Sequence, residues 1–432
     1  MKPLQNLPKK AYSLFAIIKI RFLMFSKKIL LVVAFTSFMT MQITAQHIEN
    51  WNIKGIDSTV SNKIDPSKNI FINTYSMNPL LAKLYKIKHF SQENAVFVHI
   101  GDSHIQADLE TSVIRSQLQS YFGNAGRGLV FPYQVAKTNA PYDIISSSKS
   151  SWKNNRVARI DTLISCGISA FGIESQSANP EFNLDLRSIN GIKDSFDKVK
   201  LFMGGEISEL AYVYNDNQTE NICYAVAPNY AEFNLKSATS GFKLTFPTTD
   251  TIQFFGVSLE KKETSGIIYH SIGANGAKYS DYTKTSRFWK QLKNLNADCY
   301  IISLGTNEAQ DPNLKAEDFL DDVNSMINKI RLISPNACII LTTPPVSYFK
   351  KISPNKSLEV ITNALIEFSN ENNVVCWDLF NVSRGLEGAK VWKSTQLLRS
   401  DLVHFSREGY ILQGTLFAAA FAEVWNKFML KN

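Results

Sequence analysis

The chain has 432 residues, 44% of them hydrophobic, enough to bury a sizeable core in two domains. Its formal charge of +8 sits at the N-terminus: residues 1–45 hold seven Lys/Arg and no acid, which leaves 39 basic against 38 acidic residues beyond them, a net +1. That balance gives no electrostatic case for a nucleic-acid partner, and the five widely spaced cysteines form no CxxC or Cys/His cluster that would suggest a metal or another cofactor.

From Met24 the sequence reads MFSKKILLVVAFTSFMTMQITAQ. Lys27 and Lys28 precede an apolar core from Ile29 to Phe38, and Ile43-Thr44-Ala45 offers a cleavage site. This is the pattern of a secretory signal peptide within residues 1–45, with Met24 as the true start, and it implies a periplasmic or secreted protein. A membrane anchor is the rival reading. Thr36, Ser37, Thr40 and Gln42 interrupt the apolar run, so no span is expected in the mature chain.

A β-favouring run at 95–100 ends on Gly101-Asp102-Ser103-His104. Leu109, Val113, Ile114, Leu118 and Phe122 then have helical spacing, and the glycine-rich GNAGRG at 123–128 is expected to stop that helix. From 135 to 258 the pattern changes to short alternating runs (KVKLFM, ELAYVYN, GFKLTF, TIQFFGVSL) separated by Ser, Asn, Thr and Gly, which predicts an antiparallel β-sandwich. Its aromatics Phe202, Tyr212, Tyr214, Phe242, Phe246, Phe254 and Phe255 are first of all core, and sugar stacking is the lesser reading. Cys166 and Cys223 lie within it, and nothing in their spacing decides whether they pair.

Strands alternate with helices again after that segment. GIIYHSIG (266–273), CYIISLG (299–305), ACIILTT (337–343) and VVCWDLF (374–380) read as strands, with Cys299, Cys338 and Cys376 as core thiols. Phe319, Val323, Met326 and Ile330 mark one helix, and others fall near 355–371 and 407–428. Repeated strand–helix units predict a parallel sheet with helices on both faces. The fold class is therefore α/β, its sheet domain divided into 46–134 and 259–432 by the inserted β-sandwich at 135–258.

Ligands of open parallel sheets bind at the carboxyl ends of the strands. Ser103 lies just beyond such an end and needs a base to become a nucleophile. Asp401 precedes His404 by three residues, a spacing that lets a carboxylate reach one ring nitrogen and leaves the other for the serine proton. Donors for an oxyanion are available from the glycine turn of SIGANGA (271–277) and from the Asn307 amide in SLGTNEA (303–309). His99, His104 and His270 are rival bases, and Asp378 is a rival acid.

Four blocks now stand in chain order: Gly101-Asp102-Ser103, Gly273-Ala274-Asn275-Gly276, Gly305-Thr306-Asn307 and Asp401-Leu402-Val403-His404. Together they resemble the SGNH hydrolase superfamily, the GDSL esterases and lipases, over 95–133 and 266–428. The resemblance implies an SGNH, flavodoxin-like sheet domain. It makes Ser103 the nucleophile, His404 the base and Asp401 its orienting acid, with an oxyanion hole of the Ser103 and Gly276 N–H groups and the Asn307 side chain. Two departures stand out: His104 replaces the leucine of the GDSL name, and Glu308 stands where an Asp usually follows the Asn.

GDSHIQAD, NAGRG and FPY, with the split catalytic domain, look like the exported peptidoglycan O-acetylesterases of this superfamily, whose inserted domain resembles a carbohydrate-binding module. The implied activity is hydrolysis of small O-acyl esters, O-acetyl foremost, and the implied partner is an acylated polysaccharide or peptidoglycan. A lipid-directed esterase or lysophospholipase on the same triad is the alternative, as is a non-catalytic glycan-binding surface protein.

Overall fold

The computed structural model describes residues 50–431, apart from 57–59, 92, 160–163, 190, 205–208, 215–217 and 224–229. The expected signal peptide and the side chain of Cys223 lie outside the described residues.

The run around 95–100 is a strand, Asn94–Gly101, and its side chains from Phe97 onward are buried. Gly266–Gly273 pairs with it in parallel on one side, matching Gly273 to Gly101. On the other side Cys299–Ser303 pairs in parallel, matching Ser303 to Gly101. Cys338–Thr342 and Val375–Trp377 extend the sheet in the same sense. Three strand ends therefore lie level, so the chemical blocks that follow them meet on one edge.

Helices cover this sheet. Asn78–Phe90, which has no strong signal in the sequence, buries Leu80, Leu81, Leu84 and Ile87 on one face. Ala316–Ile333 buries Phe319, Val323, Met326 and Ile330, the residues whose four–three–four spacing marked it. Leu109–Phe122 packs against Arg407–Met429. Cys299, Cys338 and Cys376 are buried, as expected of core thiols.

One strand had no signal in the sequence. The helix ends at Gly123, as the glycine-rich stretch led one to expect, and Asn124–Val130 then forms a strand. It pairs in parallel with Gly266–Gly273 and antiparallel with Ile252–Glu260. Glycine is poor in strands, but here a side chain has no room: at Gly128, with φ +80°, a Cβ would lie 2.3 Å from the Tyr269 carbonyl oxygen.

Through this strand the parallel sheet continues into antiparallel pairing. Ile252–Glu260 also binds Phe196–Gly204 and Phe171–Ser175, giving one sheet of 12 strands. A second antiparallel sheet of five runs in the order Gln218–Cys223, Glu209–Tyr214, Gly241–Thr245, Glu181–Leu186, Ile144–Ser147. Phe182 of this second sheet meets Phe254 of the large sheet edge-on, at 4.8 Å between ring centroids. Phe254 in turn stacks near Phe131, at 6.4 Å. Phe202, Phe242, Phe246 and Phe255 are buried as well, so these rings are core. Each such ring contributes roughly 1.5–3 kcal/mol by leaving water. Tyr212 and Tyr214 have side chains outside the described residues.

Candidate active site

Ser103 opens the four-residue helix Ser103–Gln106, directly after the strand ending at Gly101. Asp102 caps that helix: its Oδ1 accepts the His104 N–H at 2.9 Å. The tight cap turns the chain at once and leaves the serine hydroxyl at the sheet edge.

His404 Nε2 lies 2.8 Å from Ser103 Oγ, and His404 Nδ1 lies 3.1 Å from Asp401 Oδ2. The other Asp401 oxygen accepts the Val403 and His404 N–H groups at 2.9 and 2.8 Å. Partial burial pushes the Asp401 carboxyl up, yet these N–H groups and the ring outweigh it and hold the acid below its ordinary value. Leu402 adopts the left-handed region, φ +59°, to close this turn.

The Gly276 and Asn307 blocks are joined. Asn307 Nδ2 donates to the Ala277 carbonyl at 3.0 Å and to Asp102 Oδ2 at 3.2 Å. Glu308 Oε1 accepts the Tyr279 N–H at 2.9 Å, so this departure from the Asp pattern clamps the far end of the glycine turn. Gly276 has φ +81°, a conformation that favours glycine.

Ser103, Gly276, Asn307 and His404 line one cleft of about 350 Å³, with Ala107, Leu109, Asn139, Asn275, Arg399 and Tyr410. Asn139 belongs to the segment expected as an insertion, and sequence reasoning had no signal for it. Nearby, a Cβ at Gly276 would lie 3.9 Å from the Ala158 methyl of the same segment.

The rival residues are occupied elsewhere. His99 bonds Tyr269 Oη at 2.7 Å and Ser303 Oγ at 2.6 Å inside the sheet. His270 Nδ1 accepts the Leu129 N–H at 2.9 Å. His104 Nδ1 meets Tyr410 Oη at 2.9 Å while its ring packs 5.3 Å from that of His404. Burial pushes all three down to about 3, so they are neutral near pH 7. Asp378 accepts from Thr343 Oγ1, Asn381 N and Asn381 Nδ2 at 3.1, 3.1 and 2.6 Å, as the cap of Leu379–Val382.

Asp102 and its neighbours Glu308 and Glu110 are buried carboxyls with no ion pair among the described residues. Burial pushes Asp102 and Glu308 up to about 7 and Glu110 up to about 8, with Asp102 adding to the shift of Glu110. No three His, Cys, Asp or Glu side chains gather as metal ligands among the described residues.

Residues 237–412 match the model of the GDSL-like Lipase/Acylhydrolase family. The matched range holds the Gly276, Asn307, Asp401 and His404 blocks; Ser103 lies before it and is joined to it by the geometry above. A solved structure titled as a peptidoglycan O-acetylesterase in action matches with a TM-score of 0.68 at 22% identity, over 81% of this chain and 96% of that one. The SGNH architecture expected from the four blocks is thus the observed one. A lipase/acylhydrolase from Enterococcus faecalis matches over 37% of this chain and 77% of its own, at 24% identity and a TM-score of 0.29. An acetylxylan esterase from Geobacillus stearothermophilus matches over 37% and 73%, at 17% identity and a TM-score of 0.29. No curated protein matches the chain.

Proposed function

We propose that this protein is an exported serine esterase that removes small O-acyl groups, O-acetyl foremost, from cell-wall or other polysaccharide. The observation that carries the reading is the unbroken relay Asp401–His404–Ser103, at 3.1 and 2.8 Å. His404 Nε2 takes the Ser103 proton as Oγ attacks the ester carbonyl. Asp401 accepts the Nδ1–H, which fixes the tautomer and steadies the imidazolium. The Ser103 and Gly276 N–H groups then hold the oxyanion, joined by the Asn307 amide as one of its N–H groups turns from Asp102 Oδ2 to the substrate. His404 returns the proton to the departing sugar hydroxyl. Water, deprotonated by the same ring, releases the acid and restores the serine.

The cleft supports a small acyl group and a polar leaving group. Asn139, Asn275, Asn307 and Arg399 suit a hydroxyl-rich partner, and Ala107 and Leu109 supply a short apolar contact. The fold shared with a peptidoglycan O-acetylesterase agrees with this class of substrate.

The test is mass spectrometry of acetate released from O-acetylated peptidoglycan and from acetylated xylan, with the Ser103→Ala protein as control. Release from at least one polymer is expected. Activity that rises with acyl chain length, and no acetate from either polymer, would point instead to a lipid ester.

A further inference from the structure

Gln106 closes the short helix that begins with Ser103, and only 2% of it is exposed. Its Oε1 accepts the Asn275 N–H at 2.7 Å. Its Nε2 donates to Thr138 Oγ1 at 3.0 Å and to the Asn139 carbonyl at 2.9 Å. The amide has one workable orientation. A backbone N–H at Asn275 demands an acceptor and a carbonyl at Asn139 demands a donor, so exchanging oxygen and nitrogen would break both bonds.

Asn275 immediately precedes Gly276. A glycine at φ +81° has little intrinsic preference for the pose that aims its N–H into the cleft. Its neighbours supply that preference. On one side Gln106 fixes Asn275; on the other Asn307 Nδ2 fixes the Ala277 carbonyl at 3.0 Å. Gly276 is suspended between two tethers, and one comes from the nucleophile's own helix.

We infer that Gln106 is a positioning residue of the oxyanion hole: it locks the Gly276 N–H in register with Ser103 and anchors both to the 138–139 loop. This rests on the esterase reading. No reacting atom touches Gln106, so its loss should weaken the transition state and leave ground-state binding intact.

The experiment compares Gln106→Leu and Gln106→Glu with the wild type on 4-nitrophenyl acetate, and follows amide hydrogen exchange at Asn275 and Gly276. Removing a whole oxyanion donor costs about a hundredfold to a thousandfold in kcat, so misplacing one should cost Gln106→Leu about thirtyfold, with KM within about twofold. Glutamate keeps an acceptor of the same reach for the Asn275 N–H and, protonated as burial favours, a donor for the Asn139 carbonyl, so it should recover kcat to within about fivefold of the wild type. Exchange at Asn275 should quicken at least about tenfold in the leucine variant alone, with the core strands unchanged. Unchanged kcat in Gln106→Leu, a rise confined to KM, or a glutamate variant as impaired as the leucine one would overturn the inference. Gln106→Met replaces the leucine variant if that one does not fold. If the wild type cleaves no acyl ester, the esterase reading fails by itself, and the exchange rates still decide whether Gln106 holds the turn.

Discussion

Arg127 Nη2 lies 2.6 Å from Asp108 Oδ2, tying a strand of the large sheet to the loop that follows the Ser103–Gln106 helix. Asp108 also takes a two-pronged contact from Arg115, at 2.9 and 2.8 Å. The remaining face of the Arg127 guanidinium grips Asp143, with Nη2 at 3.0 Å and Nε closer still. All four side chains are buried or nearly so. A residue from the 135–258 segment thus completes an ion cluster beside the loop that follows Ser103–Gln106.

Asp143→Ala removes one anion and leaves Arg127 inside without it. Breaking a buried pair in this way typically costs about 3–5 kcal/mol. Urea unfolding should register a loss of that size. A change below about 1 kcal/mol would mean that water replaces the carboxylate at no great cost.

Excision of residues 135–258 should abolish activity on small esters and polymers alike. The cut removes Thr138 and Asn139, which hold Gln106, and Asp143. It also takes most of Ile252–Glu260, the antiparallel partner of Asn124–Val130. The simple sequence picture, an independent module acting on polymer binding alone, leads to the opposite expectation of intact cleavage of soluble acetyl esters. Measured rates on 4-nitrophenyl acetate, for a folded excision product, separate the two.

Ser103→Ala should lower esterase activity by at least about a thousandfold while the melting temperature stays near that of the wild type, because triad members act as a unit. Asp401→Asn should cost several orders of magnitude in kcat through loss of tautomer control. Asp378→Asn, which alters only a helix cap, should affect stability and spare the rate. Steady-state kinetics with the three purified variants provide the check, and a rate collapse in Asp378→Asn would reverse the assignment of the acid.

Stability should show a broad maximum between about pH 4.5 and 6.5. His99, His104 and His270 bind protons near 6.5 when unfolded but are pushed by burial to about 3 when folded. The unfolded chain therefore takes up more protons as the pH drops, and stability falls with it. Asp108 adds to this acid-side loss, because Arg115 and Arg127 hold it low against its burial. Asp102, Glu308 and Glu110 act in the opposite sense: burial raises them to about 7, 7 and 8 from ordinary values of 3.8, 4.5 and 4.5. The folded state keeps protons that the unfolded chain has released, so stability also falls as the pH rises from about 4.5 to 8. Between 4.5 and 6.5 the two groups oppose each other. Urea midpoints from pH 3 to 9 test the shape, and Glu110→Gln should soften the fall above pH 6.5 and tilt the plateau below it upward with pH.

The sequence carried the chemistry further than the architecture. Asp401 and His404 were legible because three residues on a tight turn suffice to join them. Ser103, Asn307 and Gly276 were legible because each follows a strand end, and parallel strands bring their ends together. Gln106 was not, since its partners at 138–139 and 275 are joined to it only by the finished fold. Asp108, Arg115, Arg127 and Asp143 gave no signal in the sequence, for pairing inside a core leaves no periodic trace. The Asn124–Val130 strand was hidden by its own glycines, whose reason is the close approach of Tyr269 and Glu260.

That glycine strand also bears on when the protein can fold. Asn94–Gly101 and Asn124–Val130 find their parallel partner only at Gly266–Gly273, and the former finds its second at Cys299–Ser303. A chain emerging N-terminus first holds the strand before Ser103 without either neighbour until more than half of the sequence has been made. Pairings so distant along the chain are slow to close. The N-terminal third should therefore stay unfolded and open to chaperones until late in synthesis, and a fragment ending before residue 266 should acquire no stable sheet around Ser103.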